Sequence, residues 1–198
     1  MIAAPVIQEH RKIRKLQDGE AKPLVEHLVA DKWEALQAKG LPPYAGEDSA
    51  EIDALRLEVA NKIEEHKLPM TERKMGIYNQ IAAWQSGKVQ GVGPWHDKEI
   101  PLLCRELNGQ LDELIGGFDK WLPKKCDAFL DNYYAKKSST EPQSIFEFAA
   151  SNEVYGFIKE LSPAAAAKFV ERKAVEEYGM KFLQSSPNLA LRDPRDTA

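Results

Sequence analysis

The residues of this chain best suited to metal binding or nucleophilic chemistry are four histidines, His10, His27, His66 and His96, and two cysteines, Cys104 and Cys126. A metal site needs three or four convergent ligands, usually announced by pairs at helical or knuckle spacing. No two histidines here stand three or four residues apart, and neither Cys-x-x-Cys nor His-Glu-x-x-His occurs. His27 and Asp31 share a helix face, and His96 adjoins Asp97, so each pair could serve as the acid–base couple of a dispersed active site. No Gly-x-Ser-x-Gly elbow is present. Cys104 lies beside Leu102 and Leu103 on an apolar helix face, where a packed, unreactive thiol is expected. The sequence therefore assigns no catalytic residue, no metal ligand and no cofactor.

Two further patterns bear on binding. Gly87-Lys88-Val89 looks like the tail of a phosphate loop, but the upstream glycine is missing and Val89 stands where Ser or Thr would hold magnesium. Gly91-x-Gly93 runs into Pro94-Trp95 with no strand before it, unlike a dinucleotide fingerprint. The stretch from Gly87 to His96 reads as a connector, with Trp95 and His96 as candidate partner contacts. The second pattern is basic. Arg11, Lys12, Arg14 and Lys15 wrap one short segment and could grip a phosphate backbone, with Lys124-Lys125 and Lys136-Lys137 as allies. Glu9, Asp18 and Glu20 dilute that field. A helix-turn-helix over Thr71–Trp84 and Asp97–Leu107 fails, because its connector is far longer than the three or four residues the motif uses.

These residues must be positioned by helices. Apolar residues recur at three- and four-residue spacing almost throughout, and strand alternation is nearly absent. Helices are expected over 5–17, 23–39, from 48 to before Pro69, from a Thr71 cap to Gly87, from Asp97 or Ile100 to about Phe118, from Pro123 to the 138–140 loop, over 141–150, from a Ser151 cap to Leu161, and from Ser162-Pro163 to Pro187. The clearest seam is Leu103, Leu107, Leu111, Leu114 and Phe118. Gly116-Gly117 should break it or admit a close helix. Asp48 and Glu51 have capping-box spacing. In the last helix Phe169, Val170, Ala174, Tyr178 and Phe182 are expected inward. The expected fold is all-α, an irregular bundle of about eight helices. Residues 1–90 and 91–187 form its two candidate halves, and 188–198 form a tail expected to lack order.

The chain has 198 residues, 43% of them hydrophobic and 29% charged, with 27 Lys and Arg against 31 Asp and Glu. That is too apolar for a disordered chain, and no apolar run approaches a spanning helix. Charge is spread evenly, which argues against a large polyanionic partner. Two cysteines without a secretory leader point to reduced thiols and a cytoplasmic protein.

Of 17 aromatic residues, 12 fall between Phe118 and Phe182. They form either a dense core or an exposed groove for a partner helix, with Tyr133, Tyr134, Tyr155 and Phe157 as its contacts. The leading expectation is a non-enzymatic protein–protein interaction module: an adaptor, inhibitor or accessory subunit, such as a phage or plasmid would encode. The alternatives are a nucleic-acid-associated protein using the basic 10–15 helix and an enzyme with a dispersed acid–base site.

Overall fold

A computed structural model of the chain describes residues 21–85 and 99–185. The described residues are all-α. Seven helices follow one another: α1 (Ala21–Gln37), α2 (Ser49–Glu64), α3 (Lys67–Gln85), α4 (Glu99–Thr140), α5 (Ile145–Ser151), α6 (Glu153–Leu161) and α7 (Pro163–Ser185). None is long and apolar enough to cross a membrane. The expected helix over 5–17, the Gly87–His96 connector with its 90/91 boundary, and the 188–198 tail lie outside the described residues.

The helices group into two compact units, each discontinuous in sequence. The first draws its described residues from 21–41, 57–85 and 99–119, the second from 42–56 and 120–185. α2 and α4 therefore each contribute to both. In α2, Ile52 and Leu55 are buried in the second unit, and Val59 and Ile63 in the first, the four positions that periodicity selects.

In the first unit α1 lies antiparallel to α3. Lys22 stands over Tyr78, Lys74 pairs with Glu26 at 3.1 Å, and Lys67 stands over Trp33, three contacts in one register. Lys32–Asp112 and Lys39–Asp119 are seven residues apart on both sides, so α1 and the first part of α4 run the same way. Leu103, Leu107, Leu111 and Phe118 are buried as their seam predicts.

Several boundaries differ from expectation. α3 begins at Lys67, before Pro69, because a proline in a helix's first turn lacks only an N–H that would have had no partner. Thr71 consequently is no cap: its hydroxyl donates to Lys67 C=O at 2.9 Å. Met75 is exposed, and Ile77 and Ile81 carry the buried face. Gly40 does not form a left-handed cap; α1 ends in turns closed by Lys39 N–H and Gly40 N–H on Leu36 and Gln37 C=O. Ser138, Ser139 and Thr140 belong to the last turn of α4, where their hydroxyls donate to carbonyls three residues back.

The largest difference is that the expected fifth and sixth helices are one. α4 continues through Gly116, Gly117 and Pro123. An interior proline costs about 3 kcal/mol and each glycine about 1 kcal/mol relative to alanine. Against this, Cys126, Leu130, Tyr133 and Tyr134 continue the stripe and are all buried, at roughly 1.5–3 kcal/mol for each large apolar side chain. Burial wins and the helix runs on. A Cβ at Gly116 or Gly117 would meet nothing within 4 Å, so neither glycine serves a close helix approach. Gly116→Ala and Gly117→Ala should each stabilise the protein by about 0.5–1 kcal/mol, read as a higher urea midpoint at unchanged slope.

Candidate functional site

The aromatic residues after Phe118 are the sequence's strongest lead. In the second unit they close around one ring. Phe148 is fully buried, with Tyr133, Tyr134, Tyr155 and Phe169 packed about it at centroid distances of 5.9, 5.0, 5.8 and 6.2 Å, mostly edge to face. Such pairs contribute about 0.5–1.5 kcal/mol each beyond the area they bury. Tyr133, Tyr134 and Tyr155 are all buried. Their rings pack into a dense core around Phe148, and Tyr134 also borders the open cleft described below.

α5 is short and depends on its cap. Ser144 accepts from Glu147 N–H at 3.2 Å, and Glu147 accepts from Ser144 N–H at 3.1 Å. This Ser-x-x-Glu capping box was legible in the sequence, whereas the Asp48/Glu51 pair of the same spacing forms none. The Asp48 carboxylate turns instead to Tyr133, whose hydroxyl donates to it at 2.6 Å, and to Lys137 at 3.3 Å. Glu51 pairs with Lys136. Asn152, not Ser151, caps α6 by accepting from Tyr155 N–H at 3.0 Å.

Phe157 is only half-buried, and its ring meets Tyr44 edge to face at 5.1 Å. Tyr44, Gly46 and Asp48 are half-buried, while Pro43, Ala45 and Glu47 are exposed. Residues 44–48 form a strap that bends at Gly46 and turns at Glu47-Asp48, with Tyr44 packed on α6 and Asp48 tied to α4. Composition alone showed only a stiff Pro-Pro connector here, so this site was missed; the Tyr-x-Gly-x-Asp alternation was its one available signal.

α7 carries a second feature. Its inner face is Ala165, Ala166 and Phe169. Beyond Phe169, that face bears Arg172 and Lys173, which tie to Asp127 and Asp131 of α4 at 2.6–3.2 Å, and Glu176, which pairs with both of them. Glu177 accepts from the Tyr134 hydroxyl and from Ile145 N–H at 3.0 Å. An open cleft of about 450 Å³ follows, between Tyr134, Ala135 and Ser138 on α4 and Lys173, Glu176, Glu177, Met180 and Lys181 on α7. On the outer face Val175 is 69% and Tyr178 76% exposed. Tyr178 was expected inward, but it lies nine residues and thus about 180° from buried Phe169.

The remaining candidates separate. Trp95, His96, Arg11, Lys12, Arg14 and Lys15 lie outside the described residues. Lys136 and Lys137 are bound to carboxylates and offer little to a phosphate backbone. His27 and Asp31 form a solvated pair at 3.4 Å, both well exposed, without the desolvation that tunes an acid–base couple. Among the described residues no group of three His, Cys, Asp or Glu could hold a metal. Cys104 and Cys126 are buried, and burial pushes the Cys126 thiol up to about 11.

The Tyr133 hydroxyl, and after it Lys137, holds the Asp48 carboxyl below its ordinary range. Lys173 and Arg172 do the same for Asp131. A carboxylate with a lowered folded-state pKa contributes stability above its unfolded value and loses it as pH falls through the folded one. Stability should therefore fall below about pH 4. Asp48→Asn should make that fall shallower in urea melts at pH 2.5–5. Phe148→Ala should cost about 3–5 kcal/mol.

Compared with protein-family models, curated proteins and solved structures, the chain matches none of them, so the geometry alone must carry the functional reading.

Proposed function

We propose that this chain is a non-enzymatic protein–protein interaction module, an adaptor, inhibitor or accessory subunit, with the outer face of α7 as a contact surface. One observation carries the reading. Val175 and Tyr178 stand one turn apart and largely exposed, opposite a face that is already buried. A tyrosine and a β-branched residue kept in water on a packed helix have the character of an interface anchor, since aromatic residues dominate binding hot spots. The finer architecture belongs to the same proposal: an irregular bundle of about eight helices once a helix over 5–17 is counted, in a cytoplasmic protein.

The test is a photo-crosslinking residue at position 178 in native cells, with the exposed Lys124 position as control. The expected result is a defined partner captured from 178 and not from 124. Binding of that purified partner should weaken by roughly tenfold or more in the Val175→Ser/Tyr178→Ser chain. Folding stability should change little, as at other exposed positions. If position 178 captures nothing that 124 does not, the reading fails.

A further inference from the structure

The outer face of α7 is ordered along its length as well as exposed. At about 100° per residue, Ala164, Ala167, Lys168, Glu171, Val175 and Tyr178 fall on one stripe about 100° wide, opposite the buried Ala165, Ala166 and Phe169. All six are exposed. The stripe changes in size from end to end: two alanines stand at its N-terminal end, a valine and a tyrosine at its C-terminal end. Lys168 and Glu171 lie between them. Each is without an ion-pair partner among the described residues, although Lys173 and Glu176 pair at the same three-residue spacing.

Such a stripe is its own complement when reversed, which is the requirement a twofold interface places on a single patch. An axis crossing α7 midway between Lys168 and Glu171 lays a second α7 antiparallel on the first. Lys168 of each copy then meets Glu171 of the other, and Ala164 of each meets Val175 of the other. Side chains on a helix lean toward its N-terminus, so the Tyr178 ring of each copy leans over the room that Ala164 of the other leaves. A parallel pairing would set lysine against lysine and tyrosine against tyrosine, and leave the alanines facing a gap.

We propose that the occupant of the α7 outer face is a second copy of this chain, docked antiparallel along α7 about that axis. The inference rests on the reading of this face as a contact surface and names its partner. Two helices meeting over about four turns bury less than the roughly 1,200 Å² of a standard interface. The dimer is therefore weak and exchanging, with a dissociation constant on the order of 10–100 μM. Its apolar ends supply the affinity, and its two exposed ion pairs fix direction and register.

Sedimentation equilibrium of the full chain over about 1–500 μM reads the association. The expected result is a monomer–dimer equilibrium within that range, weakened at least about tenfold by Val175→Ser/Tyr178→Ser. Lys168→Glu and Glu171→Lys should each weaken it by about tenfold, because each sets like charges opposite one another twice. The double exchange Lys168→Glu/Glu171→Lys should restore it to within about twofold, a recovery that misfolding or a change of net charge does not produce. Circular dichroism establishes that each variant remains helical. For direction, an Ala164→Cys chain is mixed with a Val175→Cys chain in a glutathione buffer, the native Cys104 and Cys126 being buried. The mixed disulfide should dominate, since two copies of position 164 lie about 16 Å apart along the antiparallel pair, too far to bridge. A chain that stays monomeric up to about 500 μM overturns the second copy. So does a dimer indifferent to the serine and charge variants, and so do disulfides that form as readily between like positions. The two failures are separable: a monomeric chain whose position 178 still captures a different protein in cells loses the second copy and keeps the contact surface.

Discussion

A tyrosine ring can join an apolar core only if its hydroxyl finds a partner at the core's edge, and the second unit is organised by that requirement. An unpaired buried hydroxyl costs on the order of 1–3 kcal/mol, comparable to the gain from burying part of the ring. Each of the three buried tyrosines resolves this at a point where the chain needs pinning. Tyr133 donates to Asp48 and fixes the strap. Tyr134 donates to Glu177 and lies 3.1 Å from the alternative acceptor Gln143 C=O, joining α7 to the turn before α5. Tyr155 reaches Ala166 C=O and holds the entry of α7 against α6. The apolar driving force is collected at Phe148, and the directionality is supplied by three phenols around it.

The same arrangement explains the polar groups that follow. Glu177 turns its side chain toward Tyr134 in a half-buried setting, where Ile145 N–H also donates to it. That N–H is one of the donors an α-helix leaves unpaired at its start, so one carboxylate serves a tyrosine and a helix N-terminus together. Tyr133 and Tyr134 have phenols held above their ordinary range, by burial first and the carboxylate second. They remain neutral donors across the range in which the protein folds. The first unit uses a different scheme. Its core is mostly aliphatic around Phe118, and its charged pairs include Lys32–Asp112, Lys39–Asp119 and Lys74–Glu26. Exposed pairs of this kind contribute about 0–1 kcal/mol each, so they set register more than stability.

Much of the fold was legible because one stripe of residues decides each helix. In α2 the spacing selects Ile52, Leu55, Val59 and Ile63, and in α4 Leu103, Leu107, Leu111 and Phe118, all of them buried, while Leu114 of the same seam is only half-buried. What failed were judgements that weigh a local rule against distant packing. Gly116-Gly117 and Pro123 are breakers in isolation, yet the stripe beyond them buries enough to carry α4 across. Asp48 is a good cap by type, but its carboxylate has a stronger offer from Tyr133, eighty-five residues away. No local pattern reveals such a bid. The candidate surface was legible only in part for a related reason. Aromatic content says that rings are buried somewhere, and it does not say which are left over. Phe157 and Tyr178 differ from Tyr133 and Phe148 only in the face of the helix they occupy.

α7 shows how a single helix comes to be both scaffold and surface. Its first two turns are alanine and phenylalanine on the inner side and complete the core. From Arg172 the inner side is charged and can meet α4 only through ion pairs to Asp127 and Asp131. Ion pairs hold helices apart by the length of their side chains, and where the pairing ends the gap opens into the cleft before Met180. An inner face made polar in this way has no apolar material left for the core. The apolar residues of the same turns, Val175 and Tyr178, lie on the outer side. The sequence thus transfers its hydrophobic stripe from one side of the helix to the other within two turns. A stripe that crosses sides adds no further burial to the core it began in, and on the proposed reading its second half is the contact surface.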